Sequence, residues 1–439
     1  MNDLHLSTAR RSVVVAFAAF LTVLCSQQFL TAAPPGEGFR QQKVVVGQTV
    51  GLPPGFLFHR DGETWKHLLP LTDIYSDDLI VALPYGGINS KNKNVRLTLL
   101  SDLARISPYP ILESAVILHQ TDLDLDFMLD RGRVDVTNTR RSGESKIRVR
   151  FQKQVWDLTL GNKARVAFEL FGRWPAGSPF SKTPKPNEGP TLDLVMLVKE
   201  GEVDLKADGR EFAMKAPPGA AYLHWDSVPP FDETPRLLES LPAWSKLVVN
   251  IPNNPGDLVA LLSAFRTRLR DRNLTVEETI SGLLNEDNAT AHRIAVYALG
   301  GLDDLPHLID ALSSSKYPEV RDLSVIALRH WIGRSEGQDQ KLYEALLKKG
   351  YSEKQATMVM NLLHSFSDRQ KASPATYERL IELLLDENPA VRQLANWHLN
   401  RLVTKGKDIK FDPLASPEER QKASEKWKEL IPAGKLPPR

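Results

Sequence analysis

The apolar residues of this chain change their spacing once. From about residue 44 to 228 they alternate, and from about 257 to 403 they recur every third or fourth position. Alternation turns successive side chains to opposite faces of a strand, whereas the longer spacing draws a stripe along a helix. The expected fold is therefore α+β: an N-terminal antiparallel β domain followed by a C-terminal solenoid of α-α hairpins. In Ser145–Phe151, Ile147, Val149 and Phe151 alternate with Lys146, Arg148 and Arg150, so one face is buried and the other wet. A weak internal repeat lies within this half. Leu125–Val136 lines up with Leu194–Leu205 at an offset of 69, and both copies read as strand, charged turn, glycine, strand. Glycine suits a turn that needs positive φ. Between the copies, Trp174–Pro190 carries five prolines and reads as an extended, exposed loop.

Residues 229–256 are again proline-rich and read as a linker between domains. Beyond them, Pro318–Leu328 aligns with Thr290–Leu299 and with Pro389–Leu399, each preceded by a short apolar helix. Such hairpins are too small to bury their faces alone and must stack. The tail, 404–439, holds one more helix. Ser416-Pro-Glu-Glu419 is a capping box with proline at the first helical position, and Ala423, Trp427 and Leu430 or Ile431 share a face that should dock on the last hairpin.

At 439 residues the chain has room for two or three domains. Its formal net charge of +2 provides no global field to gather nucleic acid. Residues 1–33 have the layout of a secretory signal: Arg10-Arg11, an apolar run Val13–Cys25, then small residues to Ala33. The run is short for a membrane span, although Phe29-Leu30 extends it enough to keep an uncleaved inner-membrane anchor as the alternative. The expected location is periplasmic or extracellular. Cys25 is the sole cysteine, so a cleaved chain has neither disulfide nor thiol nucleophile.

Trp65 through Asp78, the two Gly-x-Val-Asp turns at Gly132 and Gly201, and Phe212–Gly219 resemble the FecR-like domain of bacterial extracytoplasmic sensors. The usual Gly-Thr near the end of that pattern is His224-Trp-Asp-Ser227 here. Only about a dozen residues precede the apolar run, so the resemblance implies sensing without the cytoplasmic anti-sigma helix. The helical half resembles HEAT-type repeats, with Val320-Arg321 and Val391-Arg392 at that family's Val-Arg pair and Ala291-His292 as a departure. This resemblance implies a curved stack with a protein-binding surface. Signal, FecR-like part and HEAT-like part together resemble exported proteins of planctomycete-type bacteria, a resemblance that implies no activity.

Motifs for chemistry are sparse. There is no Gly-x-Gly-x-x-Gly, no Gly-x4-Gly-Lys-Ser/Thr and no Gly-x-Ser-x-Gly. Ten histidines occur without His-x-His or His-x3-His spacing, and His59 and His67 are eight apart. Asp122, Asp124 and Asp126 lack the glycine and final glutamate of a calcium loop and read as the wet face of a strand. His224–Ser227 reads as a strand end with Trp225 in the core, and Trp331 and Trp397 read as packing between hairpins, beside His330 and His398. No catalytic, cofactor or metal residues are assigned. The strongest charge asymmetry runs from Arg131 to Arg173, with eleven Lys or Arg against four acids. Arg140, Arg141, Lys146, Arg148 and Arg150 are the candidate face for an anionic envelope polymer or lipid, against the simpler reading of a solvated strand face balanced by acids elsewhere. The functional expectation is a non-enzymatic exported adaptor or sensor that also binds a protein through its helices. It has no nucleic-acid partner and touches membrane only through the N-terminal segment. The alternative is a carbohydrate-active or other hydrolytic enzyme on the β domain.

Overall fold

The computed structural model describes residues 43–51, 55–102, 111–185, 188–228, 233–245, 255–271 and 273–438; the expected signal segment 1–33 and much of the proline-rich 229–256 stretch lie outside them. Lys43–Arg439 is one compact unit. It is a mostly antiparallel sheet region followed by a helical region. Among the described residues, no helix is long and apolar enough to cross a membrane.

The strands are β1 (Val45–Val50), β2 (Phe56–Asp61), β3 (Thr64–Leu68), β4 (Asp73–Tyr75), β5 (Leu79–Leu83), β6 (Tyr85–Ser90), β7 (Val95–Leu100), β8 (Ser114–Leu118), β9 (Leu125–Asn138), β10 (Ser145–Phe151), β11 (Gln154–Leu160), β12 (Arg165–Arg173), β13 (Thr191–Glu200), β14 (Glu202–Ala207), β15 (Arg210–Lys215), β16 (Gly219–Asp226) and β17 (Arg236–Leu238). They form two sheets. Sheet I runs β4-β1-β6-β7-β9-β12-β13-β16-β17. Sheet II runs β3-β2-β5-β8-β9-β10-β11-β14-β15. Among these pairings β9–β10 is parallel and the rest are antiparallel. Inward-facing residues of both sheets, among them Leu97, Val136 and Phe168 from one and Phe127, Val149 and Trp156 from the other, close a single core.

β9 belongs to both sheets. Its first half pairs with β8 and β10, its second with β7 and β12. The changeover is at Gly132, where φ is +84° and a Cβ would lie 2.2 Å from the Glu113 carbonyl oxygen. This corrects the reading of the first repeat copy as a strand, a turn and a second strand. The chain does not turn back; it crosses from sheet II to sheet I. The second copy crosses the other way at Gly201, φ +79°, from β13 to β14. Apolar alternation continues on both sides of each glycine, so both arms keep facing the same core while positive φ redirects the backbone.

The helices are α1 (Pro255–Arg268), α2 (Val276–Gly282), α3 (Ala289–Gly301), α4 (Leu305–Ser314), α5 (Pro318–Ile332), α6 (Gln338–Lys348), α7 (Glu353–His364), α8 (Asp368–Lys371), α9 (Pro374–Leu383), α10 (Pro389–Leu402) and α11 (Pro417–Leu430). The three aligned segments are α3, α5 and α10, and each ties down the loop before it in one way. His292 Nε2, Arg321 Nη1 and Arg392 Nη1 each donate to the carbonyl six residues upstream, Glu286, Ser315 and Asp386. The Ala-His departure thus keeps the bond that arginine makes elsewhere. On α11 the expected Ser416–Glu419 capping box is present, and Trp427 is fully buried with its ring over Gly406.

The outer side of sheet II and the helices share one apolar cluster: Phe56, Phe58, Trp65, Val81, Leu83 and Ala115 pack with residues of α2 to α5. Trp65 Nε1 donates to the Leu302 carbonyl at 2.9 Å. The described residues of the Trp174–Pro190 stretch form a loop, and many of them are exposed as expected, but its two aromatics are not. The Trp174 indole stacks on His364 at 4.4 Å and donates to the Ile332 carbonyl, while Phe180 is buried and stacks on Tyr343 at 5.0 Å. These two aromatics belong to the helical core, so the loop straps the sheet region to the helices.

At the centre of the junction lies Glu113, with no exposed surface. Its Oε1 accepts from Arg131 Nε of β9 at 2.8 Å and from Arg334 Nη2 just after α5, and His330 Nδ1 lies 3.6 Å away. Arg131 also donates to the Gly301 carbonyl at 2.9 Å and Arg334 to that of Gly300 at 2.8 Å. Burial alone would raise the Glu113 carboxyl, but Arg334, His330 and Arg131 outweigh it and hold it at about 2.

Glu113→Gln takes away the carboxylate that Arg131 and Arg334 share and leaves each with one partner at the rim of the node, Asp130 and Asp303, so a loss of about 3 kcal/mol in urea denaturation at neutral pH is expected. Because the folded pKa lies below the ordinary 4.5, the wild type loses this stabilisation as pH falls from about 4.5 towards 2. In the variant that part of the acid dependence is missing.

Candidate functional site

β10 alternates as its sequence demands, with Ile147, Val149 and Phe151 buried and Lys146, Arg148 and Arg150 on the outer side. The parallel register with β9 sets Arg148 beside Asp126 and Arg150 beside Met128. Arg150 then grips Asp126 with two bonds of 2.8 Å, and Arg148 grips Asp157 of β11 at 2.6 and 2.9 Å. These bonds raise both arginines and lower Asp157. Arg140 Nη2 donates to Asp124 at 2.6 Å. Three of the five candidate residues are therefore held by carboxylates of the chain. Arg141 and Lys146 are exposed, with no side-chain ion pair among the described residues.

Asp124 is the node of this end of the sandwich. Its Oδ1 accepts from Asn92 at 2.9 Å and Asn94 at 2.8 Å as well as Arg140, and its Oδ2 accepts from the Lys146 backbone N–H at 2.9 Å. Asn138 adds a second stitch, donating to the carbonyls of Gly143, Leu160 and Gly161. The β6–β7 turn, the approach to β9, the β9–β10 connection and the β11–β12 turn are thereby joined. They bring exposed Lys91, Lys93 and Lys163 to the end that carries Arg141 and Lys146. Lys93 and Lys163 sit at φ +61° and +59°, a left-handed conformation that side chains other than Gly, Asn and Asp seldom adopt. The reading of Asp122, Asp124 and Asp126 as one wet face needs correcting: Asp126 is buried under Arg150, Asp124 is half-buried, and Asp122 is exposed.

Of the other basic residues in the stretch, Lys153 and Lys163 are exposed, and three more meet partners from elsewhere in the fold. Arg131 joins Glu113, Arg173 joins Asp193 at 2.5 Å, and buried Arg133 lies 5.1 Å from the Trp244 ring centroid. Local composition along the chain could not reveal this, because the acids come from other strands. The usable signal was that Asp122–Asp126 and Lys146–Arg150 share a period of two.

Two grooves carry acidic linings. One of about 550 Å³ is lined by Asp122, Asp124, Asp126 and His119; another of about 520 Å³, between α2 and α4, by Glu286, Asp287, His292, His307 and Asp310. Their acids are largely engaged: Glu286 with Arg268, Asp287 with Lys316 and Asp310 with Lys349. Asp287 is lowered, by Lys316 above all, whereas a general acid needs its carboxyl raised. His224 lies 3.1 Å from Asp193, Asp226 accepts from Val228 N–H, Ser227 accepts from Leu192 N–H, and Trp225 packs edge-on against Phe151, so this run forms no triad. Trp331 is buried and bonded to Asp303, while Trp397 lies beneath Arg329 and Arg401. Burial pushes His330 down to about 4 and His398 to about 3, which keeps both neutral in the core. No group of three metal-ligating side chains occurs among the described residues.

Asp124→Ala removes the acceptor for four donors and is expected to cost roughly 1–3 kcal/mol in urea denaturation, whereas Arg141→Ala should stay within about 0.5 kcal/mol. No protein-family model, no curated protein and no solved structure matches this chain.

Proposed function

We propose that this protein is a non-enzymatic exported adaptor or sensor. Its sheet region binds an anionic envelope component, a wall polymer or lipid surface, and its helical hairpins bind a protein. The observation that carries the first part is the basic end of the sandwich, where Lys91, Lys93, Arg141 and Lys163 are exposed on turns fixed by Asp124 and Asn138, and Lys146 is exposed at the start of β10. The turns are set by internal bonds, so the cations stand ready at little ordering cost. Within the original candidate face, Arg141 and Lys146 carry the binding role, and Arg140, Arg148 and Arg150 position the strands. Export rests on the signal-like layout of residues 1–33. Sensing rests on the FecR-like residues, and the protein-binding role on the HEAT-like Val-Arg positions together with the loop ties made by His292, Arg321 and Arg392. The enzymatic alternative has less support, because the groove carboxylates are mostly ion-paired.

The test is co-sedimentation of the protein with isolated envelope fractions between about 0.05 and 0.5 M salt. Wild-type pelleting should fade as salt rises. Arg141→Glu combined with Lys146→Glu should weaken it more than about tenfold at low salt without moving the unfolding midpoint. Undiminished pelleting of this variant would remove the basic end from the reading.

A further inference from the structure

A second cationic place lies on the opposite half of the sandwich, where the C-terminal turn of α1 meets β1, β2, β3 and β6. Here a cleft of about 110 Å³ is lined by Thr49, His67, Tyr85, Arg266 and Arg270 over an apolar floor that includes Phe56. By this measure a water needs about 10–15 Å³, so the space admits a phosphate or carboxylate group. The Arg266 guanidinium carbon lies 5.3 Å from the Phe56 ring centroid, which fixes it over the floor. The His67 ring is wedged against Phe56 at 5.8 Å and Phe58 at 5.6 Å.

The lining residues include no aspartate or glutamate. That is unusual for this molecule, whose other arginines are so often clasped by carboxylates, as Arg131, Arg148, Arg150, Arg268 and Arg334 are. Arg266 and Arg270 have no ion pair among the described residues. Cations near a helix C-terminus are favoured by its dipole, which accounts for basic residues there. It does not account for a third polar side chain, His67, facing the same space from β3. We propose that this cleft is a binding site for a small oxyanion, a phosphate or carboxylate group bracketed by Arg266 and Arg270 with His67 beside it. Burial above all, with Arg266 and Arg270 adding to it, drives His67 down to about 4, so the ring is neutral and can offer an N–H. The site is independent of the basic end described above.

The test follows the His67 ring resonances of the whole protein by NMR during titration with inorganic phosphate and, separately, acetate, each at ionic strength matched with sodium chloride. A saturable shift with either probe is expected; phosphate alone identifies a tetrahedral ligand and acetate alone a carboxylate. Arg266→Gln with Arg270→Gln should weaken binding roughly tenfold or more. Arg270→Gln alone, at an exposed position, should weaken it measurably without disturbing the fold, and Arg270→Lys should restore part of the loss. No saturable shift with either probe, or an undiminished one in the Gln variants, overturns the proposal.

Discussion

The buried carboxylate of Glu113 holds the two halves of the molecule in register. Isolated from water, one negative charge must be met by nearby positive ones, and here they come from separate places: Arg131 from the bend of β9 and Arg334 from just beyond α5. The same guanidinium groups satisfy the Gly300 and Gly301 carbonyls at the end of α3, which would otherwise be unmet in an apolar junction. Beside the node, Gly172 of β12 and Gly333 after α5 approach so closely that a Cβ on Gly172 would lie 2.0 Å from the Gly333 carbonyl oxygen. Apolar area brings sheet and helices together without direction; the charged node and the paired glycines set one docking.

Much of this architecture is legible in the residues. The change in apolar spacing separates strands from helices. The period of two in β10 predicts its buried face, and the proline-started helices α5 and α10 and the Ser416–Glu419 cap occur where their residue types call for them. What escapes is whatever depends on a second layer. Phe56-Leu-Phe58 and Leu79–Leu83 are continuous apolar runs because sheet II is covered on both sides, by sheet I and by helices. Glu113 carries no local sign of burial, since its partners lie 18 and 221 residues away.

The candidate site divides along the same line. That the Arg131–Arg173 stretch is basic can be counted. Which of its charges face solvent depends on Asp126, Asp157 and Asp193, supplied by neighbouring strands. Arg141 and Lys146 keep their exposure because they lie on or beside the connection into β10, where cross-strand carboxylates are fewer. Arg266 and Arg270 carry no signal of their own in the sequence: two arginines at and just past a helix end are ordinary, and their significance comes from His67, some two hundred residues earlier, meeting them across the junction.

The double membership of β9 bears on the order in which this molecule can assemble. A polypeptide emerges from the ribosome N-terminus first. When the first eight strands have been made, β7 and β8 each end a half-built sheet on an unpaired edge, an adhesive surface for any extended backbone nearby. One later segment, β9, closes both edges at once and in the same step offers its far sides to β10 and β12. Until that keystone is made, both half-built sheets lack the strand that covers their edges.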